Sequence, residues 1–236
     1  MSDSRTTDDS TTDDARADDS TTDTQWKRLA TADPLALRDP LAELLGMVEE
    51  GDPLVFSFTE VAKAAGHACP AVAGAYRATQ LALDELYPER YPVRSEIRVT
   101  VDGDPSDPGL GPMASVVTHV TGADSETGFA GFGGYGGRAN LLDFGDVDGP
   151  DEGRTVEFER TDTGATVRVT FSPAATGTAP PGGDDDAANL VPRLVAGEAT
   201  REERRRFYDV WHGRVERILA AKPGDGGPFS LERPSG

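Results

Sequence analysis

Apolar residues recur with helical spacing in several segments of the chain. DPLAELLGMVEEG predicts a short helix that runs to its final glycine, and SFTEVAKAA predicts a second one with capping-box spacing at its start. A longer helix is predicted from about Pro70 to Tyr87, where Gly74 would let a neighbouring element approach closely. PMASVVTHVTG predicts a further helix, and residues 200–221 predict a C-terminal helix that opens with a capping box.

Alternating apolar and polar residues predict strands in the second half of the chain. VRSEIRVTVDG alternates over its whole length, and NLLDFG is a shorter candidate. RTVEFERTDTGATVRVTF has two alternating runs on either side of DTG, which predicts a β-hairpin. Because helices stand before, between and after these strands, the fold class is predicted to be α+β.

Polar segments divide the chain into a folded part and its appendages. Residues 1–24 contain eight aspartates and almost nothing apolar, so we expect a disordered acidic tail. Residues 38–221 are predicted to form the α+β domain. Within it, residues 173–188 are rich in Gly, Pro and Asp and predict a linker. Residues 222–236 are expected to be a flexible Gly/Pro tail.

The charge is strongly acidic, with 42 acidic against 23 basic residues and a net charge of −19. Only three lysines occur in the chain, and such a surface keeps its hydration when salt screens the repulsion. This composition is typical of halophilic proteins, and it argues against nucleic acid as a partner. No secretory signal, long apolar run or pair of cysteines is present, so we expect a cytoplasmic protein that does not enter a membrane.

The stretch AAGHACPAVAGAY holds the only cysteine, Cys69, and one of three histidines, His67. The start of the helix predicted at Pro70 would favour a thiolate, because unpaired amides converge there. Three hypotheses follow. The pair could ligate zinc or a similar divalent ion, it could form a thiol nucleophile with His67 as its base, or Cys69 could be a buried packing residue.

Other motifs are weaker candidates. GFGGYG matches a dinucleotide-binding fingerprint, but a predicted helix precedes it and a predicted strand follows, which is the reverse of the required context. We interpret it as an irregular loop or as a lid over a pocket. DVDGPDEGRTVE resembles a calcium loop but has proline and aspartate at its fifth and sixth positions, so we interpret it as a solvated turn.

GHACPAVAGAYRATQLALDELY resembles the helix start of the formylmethanofuran dehydrogenase FmdE family. The stretch SVVTHVTGADSETGFAGFGGYGGRANLLDFG, the hairpin and FYDVWHGRVERIL are also similar to that family, over about residues 40 to 221. The resemblance implies a thioredoxin-like core, with a mixed β-sheet flanked by helices and a C-terminal helix. It also implies metal ligation by His67 and Cys69, a homodimer, and a role as an accessory component or a small-molecule binder.

The chain departs from that family at positions that matter for a metal. Ala123 stands where the family has a third candidate ligand, a cysteine, and Ala65 stands where an extra histidine is often found. A metal would then need Asp124, His119, a second protein chain or water to complete its ligands. Whether the chain is an enzyme stays open at this point.

Overall fold

The computed structural model describes residues 23–150, 152–176, 188–224 and 226–234. The helices are α1 Asp23–Leu29, α2 Pro40–Leu44, α3 Phe58–Ala64, α4 Pro70–Leu86, α5 Leu110–Thr121, α6 Val191–Val195 and α7 Arg201–Ala220. The strands are β1 Leu35–Leu37, β2 Leu54–Phe56, β3 Ile97–Asp102, β4 Leu142–Gly145, β5 Arg154–Arg160, β6 Thr166–Phe171 and β7 Phe229–Glu232. Short 3₁₀ turns cover Pro173–Thr176 and Ala188–Leu190.

The main sheet has five strands in the order β4-β3-β5-β6-β7. Strands β3 and β4 are parallel and are joined through α5, and the other neighbours are antiparallel. Strands β1 and β2 form a separate antiparallel pair. The predicted α+β class, with a mixed sheet and flanking helices, is therefore confirmed.

The two faces of the sheet follow the alternation in the sequence. Val99 pairs in register with Phe158, and Phe158 with Val167, and all three are buried against the helices. The opposite face carries cross-strand ion pairs, Arg98 with Glu159 at 2.8 Å and Arg168 with Glu157 at 2.7 Å. An antiparallel sheet that buries only one face produces this pattern.

Helix α4 is the centre of the core. It contacts β6, α5 and α7, so residues on almost every side of it are buried. Its neighbour α5 covers β3, and the two helices together enclose the apolar face of the sheet. This position fixes the start of α4, where Cys69 lies.

Most of the predicted helices are confirmed, with their caps. Helix α3 opens with Ser57 accepting from the Glu60 amide at 3.3 Å, and α7 opens with a complete capping box of Thr200 and Glu203. Helix α2 is shorter than predicted, since it ends at Leu44 and not near residue 51. The cause is Gly46, whose φ of +67° is a left-handed conformation that no α-helix continues.

The structure extends beyond the predicted domain limits of 38–221. Helix α1 and β1 precede residue 38, with Leu29 1% and Leu37 0% exposed, and β7 lies within the segment expected to be a tail. The predicted disordered tail lies outside the described residues except for residues 23 and 24, which open α1. The predicted linker 173–188 lies outside them except at its two ends.

Candidate functional site

Cys69 is the N-cap residue of α4, as the sequence predicts. Its backbone is extended at φ −143° and ψ 171°, and Pro70 occupies the first helical position. The thiol makes no capping hydrogen bond, and the residue is only 8% exposed. It packs in the main hydrophobic core, which also includes Ala68 and Val72.

The environment of Cys69 raises the pKa of its thiol. Burial is the main cause, because a low-dielectric surrounding penalises the charged thiolate. The amides of Val72 and Ala71 act in the opposite direction but are weaker. Burial therefore opposes the thiolate that the sequence predicts at the helix start, and its effect on the pKa is larger than that of the helix amides.

His67 lies on the turn between α3 and α4 and is exposed. Gly66 precedes it with φ +92°, a left-handed conformation that ends the preceding helical turn. Within the described part of the chain, His67 makes no hydrogen bond or ion pair, and it does not contribute to the pKa of Cys69. The two residues are thus neighbours in sequence with opposite surroundings.

His67 and Cys69 are two candidate zinc ligands at this turn. Zinc needs four protein ligands in a structural site, or three and water in a catalytic one. Ala123, at the position of the third candidate ligand, is 0% exposed and has no donor atom. In the described ranges no three His, Cys, Asp or Glu side chains form a group that could hold a metal ion.

A buried ion cluster joins four segments of the chain elsewhere in the molecule. Asp39, 2% exposed, caps α2 and accepts from Arg94 at 2.9 Å and Arg138 at 2.5 Å through the same oxygen, Oδ2. Arg94 also donates to the carbonyl of His119 at 3.1 Å and lies 5.2 Å from the ring centre of Phe56. The cluster fixes α2, the end of α5 and the glycine-rich loop relative to each other.

The two guanidinium groups in this cluster face one carboxylate. Burial and the charge of Arg138 lower the pKa of Arg94, while Asp39 raises it. Among the described residues, the Nε atoms of both arginines and Nε2 of His119 are buried and have no hydrogen-bond partner. Gly122 allows this packing, because a Cβ there would lie 3.2 Å from each Nε. The cluster is not apparent from the sequence, because its members are far apart in the chain.

The glycine-rich loop between α5 and β4 does not have the geometry of a dinucleotide fingerprint. It follows a helix and precedes a strand, as predicted, and Gly131, Gly133, Gly134 and Gly136 all have positive φ. The loop closes on itself through hydrogen bonds between Phe132 and Tyr135. Its Gly136 lies against Leu41, where a Cβ would be 2.9 Å from that side chain. The loop therefore packs on α2.

Large apolar side chains are exposed on the loop and beside α2. We name as the apolar patch Leu44, Leu45, Met47, Val55, Phe129, Phe132 and Tyr135, which are 47–75% exposed. Only three other large apolar residues are exposed in the described part of the chain, and they stand at scattered positions. The loop and α2 touch at Gly136 and Leu41, and exposed apolar side chains on touching segments are typical of an interaction site.

A cavity of about 340 Å³ lies against α4. Gln80, Tyr87 and Tyr91 line it, together with Arg77 and Arg90. It is open to solvent and could admit a small molecule, but neither His67 nor Cys69 reaches it.

No family model matches the chain, and no curated protein matches it. Among the described residues, no helix is both long enough and apolar enough to cross a membrane.

Proposed function

We propose that the chain is an interaction module with a buried, structural cysteine. The observation that carries this is the apolar patch, in which seven large apolar side chains lie exposed on the glycine-rich loop and beside α2, which contact each other. A surface of this kind is stabilised when a partner covers it. This is the third hypothesis from the sequence, in which Cys69 is a buried packing residue and neither reacts nor binds a metal.

The partner in this proposal is a second copy of the chain, as the resemblance to the FmdE family implies. Two copies related by a two-fold axis would bring the same patch together from both sides. The net charge of −19 opposes this contact at low salt, because the two copies repel each other. Salt screens the repulsion and leaves the apolar attraction, so we expect dimers to become more stable as salt rises.

Sedimentation equilibrium tests this proposal. The parent chain should form a dimer whose dissociation constant falls between about 0.1 M and about 1 M salt, where the Debye length shortens from about 10 to 3 Å. Exchanging Met47 and Phe132 for serine should weaken the dimer at least about tenfold, since each loses buried apolar area. Val195→Ser is the control, because Val195 is 84% exposed and outside the patch. A monomer at both salt concentrations contradicts the proposal.

Metal binding by His67 and Cys69 is the second candidate function. The observation that favours it is that Cys69 starts α4 two residues after an exposed imidazole. Burial penalises a free thiolate, but a bound metal ion neutralises the thiolate and removes that penalty. Metal analysis of the purified parent chain and of Cys69→Ser decides it: a stoichiometric ion in the parent that Cys69→Ser loses supports metal binding.

The thiol-enzyme hypothesis receives the least support, because burial raises the pKa of Cys69. Membership of the formylmethanofuran dehydrogenase FmdE family and a thioredoxin-like core stay proposals. A parallel pair joined through a helix, followed by an antiparallel hairpin and a closing helix, supports the second of these. We also propose a salt-rich cytoplasm as the setting, on the acidic, lysine-poor composition.

A further inference from the structure

The cluster around Asp39 holds more positive than negative charge. Arg94 and Arg138 both donate to Oδ2 of Asp39, and no other carboxylate of the described residues forms an ion pair with either arginine. Arg38, next to Asp39 in the chain, pairs with Glu43 at 2.7 Å, so that pair adds no net charge. Two guanidinium groups against one carboxylate leave one excess positive charge.

This excess charge lies in the interior of the protein. Asp39 is 2% and Arg94 is 9% exposed, and an unbalanced charge is costly in such a low-dielectric environment. The carbonyl end of α5 offsets part of it, since Arg94 donates to the His119 carbonyl and a helix end corresponds to about half an elementary charge. The remaining positive charge still favours a nearby anion.

Two buried nitrogen atoms show where an anion would bind. The Nε atoms of Arg94 and Arg138 have no hydrogen-bond partner within the described part of the chain, and each lies 3.2 Å from the position of a Cβ on Gly122. The two Nε atoms are therefore no more than about 6.4 Å apart, twice the length of a long N–H···O hydrogen bond. One acceptor between them can reach both, and Gly122 places no side chain beside it.

A third buried nitrogen lies in the same neighbourhood. Nε2 of His119 also lacks a hydrogen-bond partner among the residues described. The His119 ring packs edge-on against Phe56 at 5.7 Å between ring centres, and the Arg94 guanidinium lies 5.2 Å from the centre of the same ring. A neutral imidazole can carry its proton on Nε2, so all three nitrogens can donate. Unpartnered donors and excess positive charge together favour a negative acceptor.

We propose that one chloride ion binds between the Nε atoms of Arg94 and Arg138, beside Gly122. Its single negative charge balances the excess positive charge of the cluster, and it carries no further atoms that a buried site would have to hold. The ion links the segment before β3 to the glycine-rich loop, so the stability of the fold depends on chloride itself as well as on ionic strength. This inference does not depend on the apolar patch, on the dimer or on Cys69.

Anomalous scattering from bromide tests the site directly in crystals of the parent chain. Bromide has the same charge as chloride and a similar size, so it occupies the same sites. We expect an anomalous peak within hydrogen-bonding distance of the Nε atoms of Arg94 and Arg138. Peaks only at the protein surface would overturn the proposal, and so would a water molecule at that position.

Urea unfolding of the parent chain measures the contribution of the ion in solution. Chloride replaces gluconate, which is too large for a buried site, at a constant ionic strength of about 1 M, so that the Debye length stays near 3 Å. An ion that binds only the folded state raises the free energy of unfolding by about 1.4 kcal/mol for each tenfold increase above its dissociation constant. We expect this logarithmic dependence on chloride.

Two variants that each lose one positive charge make the measurement specific. Arg138→Gln removes one Nε atom and the excess charge, so it should abolish the dependence on chloride. Arg98→Gln is the control and should keep it, because Arg98 pairs with Glu159 on the opposite face of the sheet. The bromide measurement needs no variant, so it decides the proposal even if Arg138→Gln does not fold.

Two results in solution would overturn the proposal. An equal dependence on chloride in the parent chain, Arg138→Gln and Arg98→Gln would show a general salt effect. A bromide peak at the site without any dependence of the parent chain on chloride would indicate an adventitious ion only.

Discussion

Gly74 lies directly against the ring of Phe171. A Cβ at Gly74 would stand 2.3 Å from two ring carbons, closer than any real contact of this kind. Helix α4 can therefore approach β6 only because this residue has no side chain. The close approach at Gly74 is expected from the sequence, and the structure identifies the neighbour as Phe171.

We expect Gly74→Ala to destabilise the protein by about 1–3 kcal/mol or more, because the methyl group overpacks the core. The higher helix propensity of alanine, worth about 1 kcal/mol, offsets only part of this. The midpoint of urea unfolding measures the change, provided that the m-value stays constant.

Gly111→Ala is the matched control for that experiment. Gly111 is also in a helix, α5, but nothing lies within 4 Å of a Cβ there. We expect this variant to be unchanged or up to about 1 kcal/mol more stable. If Gly74→Ala and Gly111→Ala change the stability equally, steric contact with Phe171 is not the reason that position 74 needs a glycine.

A single substitution in the Asp39 cluster should lower the stability of the protein strongly. Asp39→Asn keeps a good N-cap residue but leaves two guanidinium groups, Arg94 and Arg138, without their shared carboxylate. Removing one partner of a buried ion pair typically costs about 3–5 kcal/mol, and we expect that loss in thermal or urea unfolding. Glu159→Gln removes a half-exposed partner of Arg98 and should cost at most about 1 kcal/mol. Equal losses in the two variants would contradict a special role for Asp39.

Local signals in the sequence were sufficient for most elements of the fold. Helix α4 begins at Pro70 and α7 at its capping box, because caps and proline act within one helical turn. The β5–β6 hairpin follows from the period of two and the DTG turn. Strand β7 was not predicted, because FSLE is short, follows a Gly/Pro segment, and becomes a strand only through pairing with β6.

The candidate site depended on information that the local sequence does not contain. GHAC predicts the position of Cys69 at a helix start, and that is confirmed. The pKa of its thiol depends on how α4 is buried, which is set by packing against other elements. The Asp39 cluster is similar, since residues 39, 94 and 138 meet only in the folded chain.

Because β7 pairs with β6, we expect the end of the described chain to contribute to stability. Phe229 is 1% exposed and stacks on Phe171 at 5.1 Å between ring centres. We expect Phe229→Ala to cost about 3–5 kcal/mol in urea unfolding, because it leaves a cavity in the core. Val195→Ala is the control, since Val195 is 84% exposed and outside the apolar patch, and its change should stay within about 0.5 kcal/mol. A loss at Phe229 no larger than at Val195 would mean that β7 adds little to the sheet.

The buried thiol of Cys69 predicts a loss of stability at alkaline pH. In the unfolded chain the thiol has a pKa of about 8.5, and burial raises the pKa in the folded state. The native state therefore holds this proton more tightly, so its contribution to stability is complete below about pH 8.5 and is lost as pH rises toward the folded pKa. We expect Cys69→Ala to remove this part of the pH dependence.

The measurement is the free energy of unfolding of the parent chain and of Cys69→Ala between about pH 7.5 and 9.5. Burial also raises the pKa values of Tyr76 and Tyr87, so these tyrosines add their own loss of stability near and above the usual tyrosine pKa of about 10. The measurement therefore stays below that pH. Both variants keep those tyrosines, so the difference between the two curves belongs to Cys69. Parallel curves would show that the thiol ionises as easily in the native state as in the unfolded one. In that case the sulfur is not desolvated, and the structural role proposed for Cys69 would have to be given up. Stability of the parent chain that rises with pH relative to Cys69→Ala would instead indicate a stabilised thiolate, reactive or metal-bound.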